Sequence, residues 1–214
     1  MKILNLYSGI GGNRKLWTPN GDEHEITAVE LNPEIAKIYQ DFFPNDTVIV
    51  GDAHQYLIEH YKEFDFIWTS PPCPTHSRFN FLADVQEGKS VKFADMKLYE
   101  EIILLKTFFK GLYCVENVIS YYKPLIAPTE SGSHYYWTNF YFKSIKNVKR
   151  TIRRTDDNHA EIYDRLGFDL TRYKMKRFDE RQCLNNCVEP SHGKYILDAA
   201  TGFEEPTQEG LFAE

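Results

Sequence analysis

One cysteine lies among three prolines in the stretch TSPPCPTHS, residues 69–77, and a thiol in such a place could act as a nucleophile. Proline fixes φ and removes a backbone donor, so this stretch cannot be the interior of a helix. A stiff loop can hold the Cys73 thiol in one direction, toward a reacting atom. The alternative is a tight surface turn in which the cysteine is incidental. The chemistry therefore depends on which other side chains the fold brings to this loop.

Three acidic residues share the position of this cysteine relative to the predicted strands. Glu30, Asp52 and Glu116, like Cys73, lie at or just after the ends of predicted strands. In a doubly wound sheet, ligands bind at the carboxyl ends of the strands. An acid there can accept hydrogen bonds from a ribose or an adenine amino group, or act as a general acid if burial raises its pKa. The alternatives are a helix-capping role for Glu30, a turn role for Asp52 and a structural role for Glu116.

A glycine-rich turn, LYSGIGG at residues 6–12, follows the first predicted strand. Glycine lets the backbone approach a ligand closely and point its N–H groups at it. Together with an acid at the end of the second strand, this turn indicates an adenosine-containing ligand. The turn lacks the strict G-x-G-x-x-G spacing, and the sequence contains no P-loop.

These residues must be positioned by a sheet, and the pattern of the chain predicts one. Strands alternate with amphipathic helices, which predicts an α/β fold with a doubly wound, mostly parallel sheet. The predicted strands are 2–9, 25–31, 46–52, 64–70, 112–118 and 134–142, and the predicted helices are 13–17, 32–43, 53–64, 97–109 and 190–200. Residues 77–96 are polar and irregular and predict a loop, whereas 150–180 predict short helices and loops.

The composition is that of a globular protein of 214 residues, with 42% hydrophobic and 26% charged residues. No apolar run is long enough to span a membrane and the first residues lack the pattern of a signal peptide, so we expect a cytoplasmic protein. The four cysteines do not resemble a disulfide framework. Cys183, Cys187 and His192 could form a zinc cluster, but a fourth ligand is not evident and unligated thiols are the simpler interpretation.

The net charge of −6 does not by itself favour nucleic-acid binding, but the charge is unevenly distributed. The segment KSIKNVKRTIRR, residues 143–154, contains six Lys/Arg and no acidic residue. Across 143–181, twelve Lys/Arg against seven Asp/Glu give a net charge of +5, which leaves −11 for the remainder. A basic segment in an acidic chain suits a phosphate-binding surface and, equally, a solvated basic face.

The ordered motifs resemble those of the cytosine-5 DNA methyltransferase family. They are LNLYSGIGGNRKLW, AVELNPEIAKIY, GDAHQYL, SPPCP, VENV and LNNCVEP, which cover residues 1–118 continuously and about 181–198 again. The resemblance, to a small prokaryotic or phage-type member, implies a Rossmann-like methyltransferase sheet. It also implies S-adenosylmethionine as the methyl donor, S-adenosylhomocysteine as the product, and a target cytosine flipped out of double-stranded DNA.

The resemblance assigns roles at the target base. Carbon 5 of cytosine is a weak nucleophile, and a thiolate that adds to carbon 6 makes carbon 5 reactive. Cys73 would be that thiolate. Glu116 would donate a proton or hydrogen bond to ring nitrogen 3, provided that burial raises its pKa, and Asn117 would orient the cysteine loop. No residue can be assigned as the base that removes the proton from carbon 5.

By the same resemblance, two distant parts of the chain form the donor pocket. Glu30 and Asp52 would bind the adenosine part, Leu31 would pack on the adenine, and Pro71 would lie near the methionine end. The remaining pocket residues would be Tyr7, Gly9 and Gly11, which line it, and Asn186 and Val188, which close it.

Several positions depart from the family pattern. Asn5 stands where Asp is usual, Tyr7 where Phe is usual, and Asn185 where Gly is usual. The cysteine loop reads Pro-Cys-Pro-Thr-His rather than Pro-Cys-Gln-Gly. No Gln-x-Arg-x-Arg motif follows VENV, although that motif normally supplies an arginine to the cytosine carbonyl. The possible replacements are Arg78, Arg153 and Arg154, and His134 lies in the expected region.

The region between VENV and the closing motif is short for this family, about 60 residues. We expect residues 1–200 to form one methyltransferase domain, with 143–180 as a reduced target-recognition region and 201–214 as a flexible tail. The expected DNA contacts are Arg78, Lys146, Lys149, Arg150, Arg153 and Arg154. Because phosphate contacts position a protein without specifying sequence, we expect short or relaxed specificity unless a partner supplies recognition.

The tail contains QEGLF, residues 208–212, which resembles the Gln-x-x-Leu-Phe peptide that binds the bacterial replication sliding clamp. A chance match of five residues is the alternative.

Three other functions remain open from the sequence. TSPP also suits an amino-methyltransferase that acts on an exocyclic nitrogen, although Cys73 and Glu116 argue against it. The others are a tRNA cytosine methyltransferase on the same fold, and a non-catalytic DNA- or clamp-binding relic.

Overall fold

The computed structural model describes residues 1–17, 24–88, 92–145 and 159–202. Its strands are β1 (Lys2–Leu6), β2 (Glu25–Glu30), β3 (Thr47–Val50), β4 (Phe66–Thr69), β5 (Leu112–Val118), β6 (Thr129–Ser131) and β7 (His134–Thr138). Its helices are α1 (Pro33–Phe42), α2 (Ala53–His60), α3 (Arg78–Gln86), α4 (Lys97–Phe108), α5 (His159–Leu166), α6 (Arg177–Asn185) and α7 (Pro190–Thr201), with a 3₁₀ turn at Tyr61–Glu63. Within these ranges, no helix has both the length and the apolar character needed to cross a membrane.

In the described part of the chain, the strands form one sheet in the order β3-β2-β1-β4-β5-β7-β6. β1 pairs in parallel with β2 and β4, β2 with β3, and β4 with β5, whereas β7 runs antiparallel between β5 and β6. The order of the strands reverses between β1 and β4, where doubly wound sheets open a crevice for ligands. The mostly parallel α/β sheet predicted from the sequence is confirmed.

Alternation along the strands divides the core into two layers. Val115 of β5 packs on one face of the sheet with Leu105 of α4. Cys114 packs on the other face with Ile196 of α7. The same alternation places Glu116 on the α7 face of the sheet.

A third cluster joins the C-terminal helices to the first half of the chain. Leu166 of α5 and Leu184 of α6 pack with Ile38 of α1. Phe168 meets Phe42 edge to face, with ring centroids 4.9 Å apart. Residues far apart in sequence therefore close over α1 and the adjoining glycine-rich turn.

Most predicted elements are present, with strand ends trimmed by up to four residues. LYCVENV forms β5 with the predicted bounds, and the side chain of Asn32 caps α1 as predicted. The predicted helix over 13–17 is wrong, because these residues form turns. Tertiary contacts hold them in that shape, among them the bond from Trp17 Nε1 to the Gly193 carbonyl at 3.1 Å.

The predicted loop over 77–96 is also partly wrong, because α3 occupies its first half. Phe81 of α3 stacks on Tyr121, with ring centroids 4.5 Å apart and planes within 8°. A contact with a residue beyond β5 thus supports a helix whose own sequence gives little periodic signal.

A buried ion pair connects the turns over residues 13–17 to the loop after α1. Arg14 Nε lies 2.8 Å from Asp46 Oδ2, and its Nη2 lies 3.0 Å from Oδ1. The side chains are 9% and 3% exposed. Tyr39 donates its hydroxyl to the same carboxylate at 2.8 Å, and burial followed by the Asp46 charge raises the pKa of this phenol. Three elements therefore share one buried carboxylate.

Asp46→Ala would remove the carboxylate that faces the buried Arg14 charge, and we expect a loss of about 3–5 kcal/mol in the free energy of unfolding. Urea denaturation followed by circular dichroism would measure it. Lys37→Ala, which removes an exposed pair with Asp41, is the control and should change stability little. Equal losses in the two variants would contradict the importance of the buried pair.

Candidate functional site

The cysteine loop turns immediately after β4. The carbonyl oxygen of Cys73 accepts hydrogen bonds from the backbone N–H groups of His76 and Ser77, both at 3.0 Å. The thiol is largely buried in this turn, and burial, followed by the negative charge of Glu116, raises the pKa of Cys73 to about 11. The thiol is therefore protonated near neutral pH and must lose its proton before or while it attacks.

The register of two parallel strands brings the predicted nucleophile and acid together. The last pair between β4 and β5 is Thr69 with Val115. Beyond it, β4 leads into the loop that carries Cys73, while β5 continues to Glu116, which is 6% exposed. The effect of the carboxylate on the pKa of Cys73 shows that the two groups interact.

Asn117, next to this acid, holds the cysteine loop. Its Nδ2 donates to the Pro71 carbonyl at 2.9 Å, and its Oδ1 accepts from the Val118 N–H at 3.0 Å. The residue is 2% exposed, so both bonds are shielded from water. Such a contact is what the predicted orienting role requires, because Pro71 immediately precedes the Pro72-Cys73 pair.

The second half of the loop, which departs from the family pattern, is anchored to the segment after β5. His76 is buried, with Nδ1 2.6 Å from the Tyr122 hydroxyl, and burial lowers the pKa of its imidazole. The Tyr121 N–H donates to the His76 carbonyl at 3.1 Å, and Ser77 forms a β-bridge with Ser120. The altered residues thus form a defined structure.

Glu30 connects the ends of β1 and β2. Its Oε2 accepts from the Gly9 N–H at 3.0 Å and its Oε1 accepts from the Asn32 N–H at 2.9 Å. A carboxylate can accept about four hydrogen bonds, so the capping role leaves capacity for the hydroxyls of a ribose. The two roles considered for Glu30 are therefore compatible.

The surroundings of Glu30 suit an adenosine-containing ligand. Gly9 has φ +55°, and apart from its chain neighbours no atom of the described residues would lie within 4 Å of a Cβ placed there. Leu31, beside Glu30, is 71% exposed. An open glycine turn, an acid with free lone pairs and an exposed apolar side chain fit a nucleoside, so the residues present fit the predicted donor.

Asp52 is the N-cap residue of α2, a role that differs from the turn role considered as its alternative. Its Oδ1 accepts from the N–H groups of His54 and Gln55 at 2.9 and 3.2 Å and caps α2. These bonds, with that from Gln55 the larger effect, lower the pKa of the carboxyl group. The side chain is 54% exposed, and its second oxygen lies 4.0 Å from Lys97 Nζ in an exposed ion pair.

The closing motif meets the glycine-rich turn through its backbone. A Cβ on Gly12 would lie 2.6 Å from the carbonyl oxygen of Val188, so a larger residue would force the two segments apart. Val188 is 7% exposed, whereas Asn186 is exposed at the C-cap of α6. Of the two closing residues, Val188 is the one that packs against the pocket wall.

The departure at Asn5 has a structural reason. Asn13 Nδ2 donates to Asn5 Oδ1 at 2.8 Å, and Asn5 Nδ2 points back to Asn13 Oδ1 at 3.4 Å. An amide can donate and accept, which an ionised Asp cannot. The pair connects β1 to the turn after the glycines.

The described residues contain no group of three His, Cys, Asp or Glu side chains that could hold a metal. Cys187 Sγ donates to the Cys183 carbonyl at 3.3 Å, and burial raises the pKa of the Cys187 thiol to about 12. His192 stacks on Tyr136 with centroids 5.2 Å apart. Cys187 and His192 thus each contact other protein groups in the described structure.

Sequence reasoning missed a buried carboxylate below the donor pocket. Glu101 of α4 is 1% exposed and accepts from the Tyr7 hydroxyl and from Thr69 Oγ1, both at 2.6 Å. His54 Nδ1 lies 3.0 Å from the same carboxylate. The departure from Phe to Tyr at position 7 was the available signal, because a buried hydroxyl needs a partner.

Among the expected DNA contacts, the structure describes Arg78, which is exposed at the start of α3 beyond the cysteine loop. Lys146, Lys149, Arg150, Arg153 and Arg154 lie outside the described residues, as does the segment Gln208–Phe212. Of the expected DNA contacts, Arg78 is therefore the one that can be located in the described part of the chain.

Residues 1–118 match the family model described as C-5 cytosine-specific DNA methylase. A tRNA (cytosine(38)-C(5))-methyltransferase from Spodoptera frugiperda is 33% identical over 95 residues, which are 43% of this chain and 29% of that protein. The protein of the same name from Mus musculus is 26% identical over 96 residues, 44% of this chain and 23% of that protein. The match spans less than a third of the length of either relative.

Among solved structures, a mutant of Spodoptera frugiperda DNMT2 is similar over 55% of this chain and 35% of its own, with 28% identity and a TM-score of 0.38. Entamoeba histolytica methyltransferase EhMeth is similar over 55% of this chain and 38% of its own, with 16% identity and a TM-score of 0.36.

The contact between His54 and Glu101 predicts a pH-dependent stability. The hydrogen bond to Glu101 raises the pKa of His54 above its ordinary value of 6.5. This stabilisation is therefore complete below the pKa of the unfolded chain and is lost as pH rises through the raised value. Between about pH 6 and 9, the wild-type protein should lose more stability than His54→Gln.

Urea denaturation midpoints at several pH values would measure this difference. Glu101→Gln should remove the same pH-dependent component, because the imidazolium then has no buried carboxylate as its partner. An identical pH dependence in wild type and His54→Gln would refute the assignment.

Proposed function

We propose, since this chain belongs to the C-5 cytosine-specific DNA methylase family, that it transfers a methyl group to carbon 5 of a cytosine flipped out of double-stranded DNA. S-adenosylmethionine is the methyl donor of this family and yields S-adenosylhomocysteine. The observation that carries the proposal is the convergence of Cys73 and Glu116 at neighbouring strand ends, with Asn117 bonded to Pro71.

Cys73 and Glu116 would act together on the base. The sulfur bonds to carbon 6 while the S–H bond breaks and its proton passes to solvent. Glu116 gives a proton to ring nitrogen 3, which prevents negative charge from building there and makes carbon 5 nucleophilic. The donor, when bound, supplies the methyl group. Loss of the proton from carbon 5 to solvent, departure of the sulfur and return of the nitrogen-3 proton to Glu116 then restore the ring.

The donor would lie across the glycine-rich turn. Glu30 would accept the hydroxyls of the ribose and Leu31 would support the adenine ring. Tyr7 is held by Glu101, so its ring forms a fixed wall of the pocket. Pro71 would contact the methionine part, which brings the donated methyl group toward the cysteine loop.

DNA is the proposed substrate and tRNA is the second candidate. The family model that matches more than half of the chain is described for DNA. The curated relatives at 25–33% identity are named for a tRNA cytosine, and their similarity covers 43–44% of this chain. We further propose that residues 143–180 form the reduced DNA-contact region and that Gln208–Phe212 binds a sliding clamp.

Covalent trapping would test the reaction and the substrate together. Duplex DNA and tRNA that contain 5-fluorocytosine should be incubated with protein and donor, and adducts resolved on denaturing gels. We expect a DNA adduct with wild type and none with Cys73→Ser, because a serine hydroxyl is a much poorer nucleophile. An adduct with tRNA alone would contradict the DNA proposal. Donor binding without an adduct on either nucleic acid would favour the non-catalytic relic.

The Asn117 contact predicts a loss of rate with little loss of donor affinity. Asn117→Ala releases the Pro71 carbonyl and lets the thiol move, and displacements of about 1 Å can cost on the order of 10²-fold in rate. Single-turnover methyl transfer and calorimetric titration of the donor would separate the two effects.

Asn139→Ala is the matched control. Asn139 also donates from Nδ2 to a backbone carbonyl, that of Gly111, and accepts from a backbone N–H, that of Tyr113, but at the other end of β5. It should lower stability and leave the rate per folded molecule unchanged. Equal rates in Asn117→Ala and Asn139→Ala would contradict the orienting role.

A further inference from the structure

The carboxylate of Glu116 has a basic neighbour on the next strand. β5 and β7 pair with Glu116 opposite Tyr136 and Val118 opposite His134, so His134 lies one step further along the same face. Its Nε2 lies 3.6 Å from Glu116 Oε1. The side chain of His134 is 21% exposed and that of Glu116 is 8% exposed, so the imidazole lies on the solvent side of the pair.

The chemistry of the site creates a need for positive charge at this place. Cys73 and Glu116 are both acids, and the charge of one opposes the ionisation of the other, as the raised pKa of the thiol shows. When Glu116 gives its proton to a base, it becomes a carboxylate in a mostly buried position. A carboxylate there is costly unless a cation or several donors face it.

We propose that His134, in its protonated form, stabilises the carboxylate that Glu116 becomes when it donates its proton to the base. The S–H bond of Cys73 breaks as the S–C6 bond forms, and the thiol proton passes to solvent. The O–H bond of Glu116 breaks as the N3–H bond forms, and the imidazolium keeps its own proton throughout. His134 acts through Glu116 and does not touch the base, so it is a positioning residue. This inference rests on the proposed function.

The groups around His134 leave it free to take this role. Ser133 Oγ lies 3.3 Å from Nδ1, and Ser131 is the cross-strand neighbour on β6. Tyr136 lies two residues further on, with ring centroids 6.4 Å apart, and His192 of α7 stacks on the far side of that ring. Glu116 is the acidic group in direct reach, with Cys73 beyond it.

A histidine at this position differs from an arginine in one measurable respect. Arginine keeps its charge at all working pH values, whereas histidine loses it between about pH 5 and 8. The chain lacks the arginine motif that normally follows VENV. Its reaction should therefore lose an electrostatic contribution as pH rises, and a chain with arginine in place of His134 should not.

The test compares wild type, His134→Gln and His134→Arg in single-turnover adduct formation on 5-fluorocytosine DNA between about pH 6 and 9. Rates are expressed as ratios at each pH, which cancels the pH effects that the three proteins share. We expect wild type to exceed His134→Gln by roughly 10–100-fold at the acidic end and by a ratio that approaches one at the alkaline end. His134→Arg should recover activity and keep it at high pH.

His60→Gln is the control, because His60 pairs with Glu63 on the surface away from the strand ends. Donor binding, measured by calorimetry, should be the same in all variants. A ratio of wild type to His134→Gln that does not change with pH, or a slow His134→Arg, would overturn the role of His134 and indicate packing alone. If wild type forms no adduct with DNA or tRNA at any pH, the proposed function itself fails.

Discussion

The parallel pairing of β4 with β5 is the constraint on which the site depends. The two strands end side by side, and beyond Thr69 and Val115 one leads into the cysteine loop while the other carries the acid and the amide. A shift of the register by one residue would move every side chain to the opposite face of the sheet. Glu116 would then point at α4 rather than at the α7 side. The bond from Asn117 to the Pro71 carbonyl fixes the remaining freedom of the loop.

Much of the fold could be predicted because it follows from local pattern. The strand over 112–118 and the cap of α1 at Asn32 are each determined by a short stretch of sequence. α3 could not be predicted, because RFNFLADVQ has weak helical periodicity and stacks through Phe81 on Tyr121, a residue some forty positions away. The turns at 13–17 failed as a predicted helix for the same reason, since a buried ion pair to Asp46 shapes them.

The site residues also differ in whether local sequence is enough to predict them. Cys73 and Glu116 could be identified from the motifs around them and their places at strand ends. The carboxylate of Glu101 could not, because the donors it serves lie on three other elements, and Tyr7 is 94 positions away in the chain. His134 lies in the region where the family's arginine motif is expected. Its contact with Glu116, however, depends on the antiparallel register of β5 and β7, which only the folded sheet defines. A residue whose role depends on a side chain from another element cannot be identified from its own local sequence.

The raised pKa of Cys73 suggests how such a site could remain unreactive until its substrate arrives. Burial is the larger cause of the raised pKa of the thiol, and it disfavours the thiolate. On the proposed mechanism, a base that takes a proton at nitrogen 3 changes neither burial nor the loop, but it engages Glu116 and brings an electrophilic carbon to the sulfur. The thiol then loses its proton as the new bond forms, so little free thiolate need exist. Rigid prolines suit this order of events, because a nucleophile that forms only at the moment of attack must already point at the reacting carbon.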